Sequence, residues 1–145
     1  DTKNFVWGKL MEETTVTTYP QQIHDYEVAA RKANIELNAS QWQLDVDTFL
    51  SYYGYESMDA YIEDMADDIK DYEKVYLTVQ AVAEKEGWKV TEDDMKAYFD
   101  KMFGTEDYSE YVSVYGEPYL KSIVMRDIML TKLVEMAEVV PSTAE

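Results

Sequence analysis

The sequence predicts an all-α fold, and three observations carry that expectation. Its 145 residues contain only three prolines and five glycines, most of them placed where a helix would start or stop. The stretches between them are rich in Ala, Glu, Asp, Lys, Leu and Met. Met58, Ile62, Met65, Ile69, Tyr72, Tyr76, Val79 and Ala83 are spaced alternately four and three apart, which is a heptad seam.

A first short helix is expected over residues 4–13, with Phe5, Trp7, Leu10 and Met11 towards one side. The β-branched run Thr14-Thr15-Val16-Thr17-Thr18 breaks it. Pro20 suits the first turn of a second helix, because its missing N–H is one that no helix would use there. That helix carries Ile23, Tyr26, Ala30, Ala33 and Leu37 and continues towards Trp42. Asp45 starts a short segment through Phe49 and Leu50, which Gly54 ends.

Ser57 is the expected N-cap of the strongest element, a single helix over residues 57–86 that bears the heptad seam. At the usual rise it would reach roughly 40 Å, longer than a compact domain of this mass needs, which implies an arm or a protruding hairpin. Gly87 stops it, Thr91 caps a helix through Met95, Tyr98, Phe99 and Met102, and Gly104 closes that one. A short helix over 108–114 follows. Gly116-Glu117-Pro118 marks a further break, after which Tyr119, Leu120, Ile123, Val124, Ile128, Leu130, Leu133, Val134 and Ala137 build a final helix with a wide apolar face. One domain is expected over 1–140, with 141–145 as a frayed tail. A shift of 72 residues lays Trp7, Leu10, Met11, Ile23 and Tyr26 on Val79, Val82, Ala83, Met95 and Tyr98, suggesting a reused unit of helix, extended link and helix.

Charge and composition exclude several functions. Thirty acidic residues against 13 basic ones give a formal charge of −17, which repels phosphate backbones and anionic headgroups, so no nucleic acid is expected as a partner. The chain has no cysteine, hence no disulfide, thiolate metal site or thiol nucleophile. It has no apolar run long enough to cross a membrane, so no membrane insertion by these residues is expected. A di-iron bundle needs two Glu-x-x-His pairs, but His24 is the sole histidine and Gln21 stands where its glutamate should be. Asp45 and Asp47 are followed by Phe49 and Leu50, not by the third oxygen ligand and glycine of a calcium loop. The acidic groups at Asp64, Asp67 and Asp68 and at Glu92, Asp93 and Asp94 read as a solvated face and a helix's opening turn. No nucleophile elbow or phosphate-cradling loop can be assembled. Neither a catalytic residue, a metal nor a cofactor is expected.

The aromatic and methionine content is less ordinary: 13 tyrosines, four phenylalanines, three tryptophans and eight methionines. Tyr52-Tyr53-Gly54-Tyr55 and Tyr108, Tyr111, Tyr115 and Tyr119 fall at helix ends and breaks. There a phenol can lay its ring on apolar surface and keep its hydroxyl wet. Methionine repacks against varied apolar partners. Part of this set must be core; as a whole it suits a binding crevice.

The stretch Tyr76-Leu-Thr-Val-Gln-Ala-Val-Ala-Glu-Lys-Glu-Gly87-Trp-Lys-Val-Thr91-Glu-Asp-Asp-Met95 resembles the C-terminal domain of bacterial trigger factor, where an apolar helix ending in Ala-x-x-Glu-Gly leads into a β-branched link, a Thr cap and an acidic first turn. Val6-Trp7-Gly8-Lys9-Leu10-Met11-Glu12 through Tyr19-Pro20 looks like the family's other such junction. Asp47-Thr-Phe-Leu-Ser-Tyr-Tyr-Gly54 followed by Ser57-Met-Asp-Ala-Tyr-Ile62 is similar to a short helix and long-helix entry of the family's clostridial-type members, and Leu130-Thr-Lys-Leu133-Val-Glu-Met-Ala137 to its closing helix.

The resemblance implies peptide-binding helical arms, a long helical hairpin plus shorter helices, enclosing a crevice that holds unfolded chains. It implies an ATP-independent chaperone domain whose partners are unfolded or nascent polypeptides, with the seam left short of a partner helix and self-association open to it. Ribosome contact and prolyl isomerisation would belong to other domains of a complete trigger factor. A cytoplasmic location is implied, or, given the acidity and tyrosine content, an exported or cell-surface lipoprotein. The expected client-binding residues are Tyr52, Tyr53, Tyr55, Met102, Phe103, Tyr111 and Tyr115. The alternative is a helical interaction or oligomerisation module in which the 58–83 seam pairs with one dedicated partner or with itself.

Overall fold

A computed structural model describes residues 2–137, and the frayed tail expected over 141–145 lies outside them. Among the described residues the chain forms eight helices and no strand: α1 (Thr2–Glu13), α2 (Gln21–Gln41), α3 (Val46–Tyr52), α4 (Met58–Asp64), α5 (Ala66–Glu86), α6 (Glu92–Phe103), α7 (Ser109–Tyr115) and α8 (Glu117–Met136).

The boundaries follow local chemistry. Asp45 and Ser57 cap α3 and α4 by accepting hydrogen bonds from the amides of Thr48 and Ala60, which would otherwise lack partners. Thr91 and Asp94 form a reciprocal capping box at the start of α6: the Thr91 hydroxyl accepts from the Asp94 amide and the Asp94 carboxylate from the Thr91 amide. Gly87 ends α5 at φ +70° and Gly104 ends α6 at φ +71°, left-handed positions that cost a side-chain-bearing residue but not glycine.

Two expectations about helix extent need correction. The single helix over 57–86 is two, α4 and α5, meeting at Met65 (φ −85°, ψ 8°). Neither proline nor glycine causes the break, and Met65 still donates to Tyr61 while Ile69 donates to Met65. What differs across it is the packing. Met58 and Tyr61 of α4 lie on a cluster made by Ile35, Ala39, Phe49 and Leu50, whereas α5 runs against α2 and α8. At the other end Pro118 does not separate elements but sits in the first turn of α8, where its lack of an N–H costs nothing.

The apolar interior is divided. The first cluster joins the end of α2 to α3 and α4. A second packs Val79 and Ala83 of α5 on Met125 and Met129 of α8, with Trp7 and Leu10 of α1 closing over them. A third sets Met95 and Phe99 of α6 on Leu120 and Val124 of α8, under the rings of α7. The seam is covered in part by the chain itself: Ile69, Val79 and Ala83 are buried under α2, α8 and α1, while Tyr72 is 50% exposed. Trp7 and Leu10, which the 72-residue shift lays on Val79 and Val82, meet them in this one cluster.

A candidate binding cleft

Between the first and third clusters lies a cleft of about 450 Å³. Five helices bring aromatic rings to it: α4 places Tyr61, α5 Tyr72, α6 Tyr98, Phe99 and Phe103, α7 Tyr111 and Tyr115, and α8 Tyr119. The floor of α2 contributes Glu27, Ala30, Arg31 and Asn34, four residues that one helical face presents together. The rings are held against one another. Phe99 and Phe103 each stand 5.0 Å from Tyr111, Phe103 stacks on Phe99 at 5.6 Å, and Tyr115 stacks on Tyr119 at 6.0 Å. Asn34 donates to the Tyr115 hydroxyl at 3.4 Å, tying α7 to α2.

The electrostatics of the floor are unusual for so acidic a chain. Glu27 is only 4% exposed, and no hydrogen bond or ion pair reaches its carboxylate among the described residues. Burial pushes its pKa up; the Arg31 charge opposes that shift and the charge of Glu73 adds to it. Glu73 is equally buried but partnered, with His24 Nδ1 at 2.6 Å. Arg31, one turn beyond Glu27, holds its guanidinium over the Tyr72 ring at 5.1 Å, and its Nε is buried without an acceptor. The Tyr119 phenol is pushed up to about 12, first by burial and then by the neighbouring Glu27 and Tyr72. The Tyr98 phenol is also raised, chiefly by burial.

Residues 1–138 match the family described as bacterial trigger factor protein (TF) C-terminus. The chain belongs to that family. No curated protein and no solved structure matches it. The trigger-factor C-terminus is a chaperone-type domain, distinct from the family's isomerase domain. Its all-helical character and the eight helices seen here agree. No described helix is long and apolar enough to cross a membrane.

Of the seven residues singled out from the sequence, the fold brings Phe103, Tyr111 and Tyr115 together in the cleft. The other four lie elsewhere. Tyr52 and Tyr53 are 74% and 65% exposed at the end of α3, with the Tyr53 ring 5.2 Å from Phe49. Tyr55 packs on the first cluster, edge-on to Tyr61 at 5.2 Å, and its hydroxyl donates to Asp64 at 2.7 Å. Met102 is on the exposed side of α6. Sequence reasoning overlooked Glu27 and Arg31 altogether. A signal was present: Glu27 lies four after Ile23 and three before Ala30, in phase with buried positions, as Glu73 lies four after Ile69 and three before Tyr76.

Proposed function

We propose that this chain is the client-binding chaperone domain of a trigger-factor-like protein, and that exposed apolar segments of unfolded or nascent polypeptides lodge in the aromatic cleft. The reading is supported above all by eight rings lining one solvent-connected hollow between the first and third apolar clusters, in a chain of the trigger-factor C-terminal family. Phe103, Tyr111 and Tyr115 are the client contacts carried forward from the sequence, joined by Tyr72 and Tyr119.

Binding of this kind needs no nucleotide and no covalent step. Contacts worth ~0.1–0.2 kcal/mol per atom pair sum, over several rings, to micromolar affinity, about −8 kcal/mol, without demanding a particular client sequence. The charge of −17 keeps the empty domain soluble and favours basic clients. A dedicated-partner module finds less support, because Ile69, Val79 and Ala83 of the seam that would serve it are buried under other helices of the chain.

The test is suppression of aggregation of a chemically denatured client. The combined variant Phe103→Ser, Tyr111→Ser and Tyr115→Ser is expected to lose most protection while keeping its helical circular dichroism. Full protection by a folded variant would remove the cleft from the function.

A further inference from the structure

We infer that the tyrosine hydroxyls of the cleft hydrogen-bond the main-chain peptide groups of the client, so that the site holds an extended polypeptide by its backbone as well as by its apolar side chains. This rests on the cleft being the client site and states which atoms of the client it reads.

The first observation is the choice of ring. Where this chain only fills volume it uses Val, Ala, Leu, Met and Phe, as in the buried members of the second and third clusters. Six of the eight rings in the cleft instead carry a hydroxyl: Tyr61, Tyr72, Tyr98, Tyr111, Tyr115 and Tyr119. Apart from that of Tyr115, none of these hydroxyls makes a hydrogen bond with the described residues. The Tyr115 oxygen accepts from Asn34, which leaves its own O–H free to donate. Tyr61, Tyr98, Tyr111 and Tyr119 are half-buried, yet no hydroxyl among them is sealed away from solvent without a partner. The rings are fixed in the wall while the hydroxyls stay open to whatever occupies the hollow.

The second step is a matched pair of costs. Solvent serves these hydroxyls while the cleft is empty, and an apolar group that displaced it would leave them unpaired, at a cost comparable to a lost hydrogen bond. An extended client has the complementary problem, because each residue brings a C=O and, proline apart, an N–H that shed their own water on entering. Pairing phenol with peptide group removes both costs. Carbonyl oxygens are the better match, since the polar groups of the hollow are mostly donors. Asn34 donates its amide, and the Nε of Arg31 is a buried donor with no acceptor. The Tyr119 phenol, pushed up to about 12 chiefly by burial, keeps its proton at neutral pH, and Glu27 is shifted by burial towards its protonated form. The six hydroxyls come from five helices, α4 to α8, which suits a run of peptide groups better than a single polar head. Every polypeptide offers that run whatever its side chains, so the contact adds affinity without demanding a sequence.

The experiment uses a short fluorescein-labelled unstructured peptide of Leu, Phe and Ser, and a twin in which two central amides are replaced by esters. The twin keeps every side chain but has weaker carbonyl acceptors and no N–H at those bonds. Fluorescence polarisation with the 145-residue chain is expected to give about tenfold tighter binding of the amide peptide. A cleft that only buried apolar surface would favour the ester twin or neither, because an ester is the easier group to desolvate. The combined variant Tyr61→Phe, Tyr111→Phe and Tyr119→Phe keeps the rings and removes three hydroxyls that hold nothing in the fold; it should bring the ratio close to one. Tyr53→Phe, outside the cleft, should leave the ratio unchanged. Equal or tighter binding of the ester twin by the unaltered protein would overturn the backbone contact and leave the client cleft standing. So would a ratio that survives in the triple variant, or that falls equally in Tyr53→Phe. Failure of the unaltered protein to bind either peptide would overturn the cleft and the backbone contact together. Because the deciding change is in the peptide, the result from the unaltered protein does not depend on how well the variants fold.

Discussion

The two halves of α5 carry the same spacing and end in different environments. Its second half puts Val79 and Ala83 against Met125 and Met129, with Trp7 and Leu10 above and the Arg126 guanidinium over the Trp7 ring at 4.7 Å. Its first half puts Ile69, Tyr72 and Glu73 beside α2, where Glu27 and Arg31 are also held and the rings of α6, α7 and α8 leave a hollow. The second half also borders a smaller hollow of about 320 Å³, lined by Val79, Ala83, Trp88 and Met125 with Lys89 and Lys121 beside them, whereas the first half borders the ring-lined cleft of about 450 Å³. A heptad seam specifies that a face will be covered, and the covering helix decides whether it becomes structure or site.

Substitutions in the residues facing the two halves should separate stability from binding. The largest stability effect is expected from Met129→Ala, at a fully buried position, which should cost about 2–5 kcal/mol in urea unfolding through lost burial and a residual cavity. Where the protein stays folded, client affinity should be retained. If Met129→Ala abolished binding in the folded protein, the division between the halves would fail.

Glu27→Gln sharpens the contrast in the opposite direction. Burial raises the folded pKa of Glu27 above its ordinary value of 4.5. Between that ordinary value and the raised one, the folded state holds a proton the unfolded chain has lost, so this residue's contribution to stability falls as pH rises through that window. The Gln variant is therefore expected to be more stable at neutral pH by about 1–2 kcal/mol, with the advantage shrinking below the ordinary carboxylate value. Thermal melts of both proteins at the two pH values decide it.

The smallest effect lies outside both halves. Thr91→Ala removes the hydroxyl that accepts from the Asp94 amide and should cost about 1 kcal/mol, read by urea unfolding. Asp94 itself is held below its usual value mainly by the Thr91 amide and hydroxyl. That part of the stability is present above the ordinary Asp value and lost as pH falls through the lowered one. Client binding should be untouched.

Three of the eight rings that line the cleft were legible in the sequence as binding residues. Tyr111 and Tyr115 stand out because rings at helix breaks serve poorly as core, and Phe103 because it sits at the last turn before Gly104. Tyr52 and Tyr53 satisfy the same criterion and lie outside the cleft, because position at a helix end says that a ring is near the surface and not which surface. Glu27 was hidden by its chemical type: in a chain with 30 acidic residues, one carboxylate in phase with a buried stripe looks like the solvated rest.

The sequence by itself determined the helices, their order and most of their ends. Those depend on interactions within about one turn: Asp45 with Thr48, Ser57 with Ala60, Thr91 with Asp94, and the positive φ of Gly87 and Gly104. Only the tertiary structure decided the break at Met65, the cover over the seam and the company of Glu27. Each joins residues far apart in the chain, as Asn34 meets Tyr115, and periodicity records that a face is apolar without recording what lies opposite it.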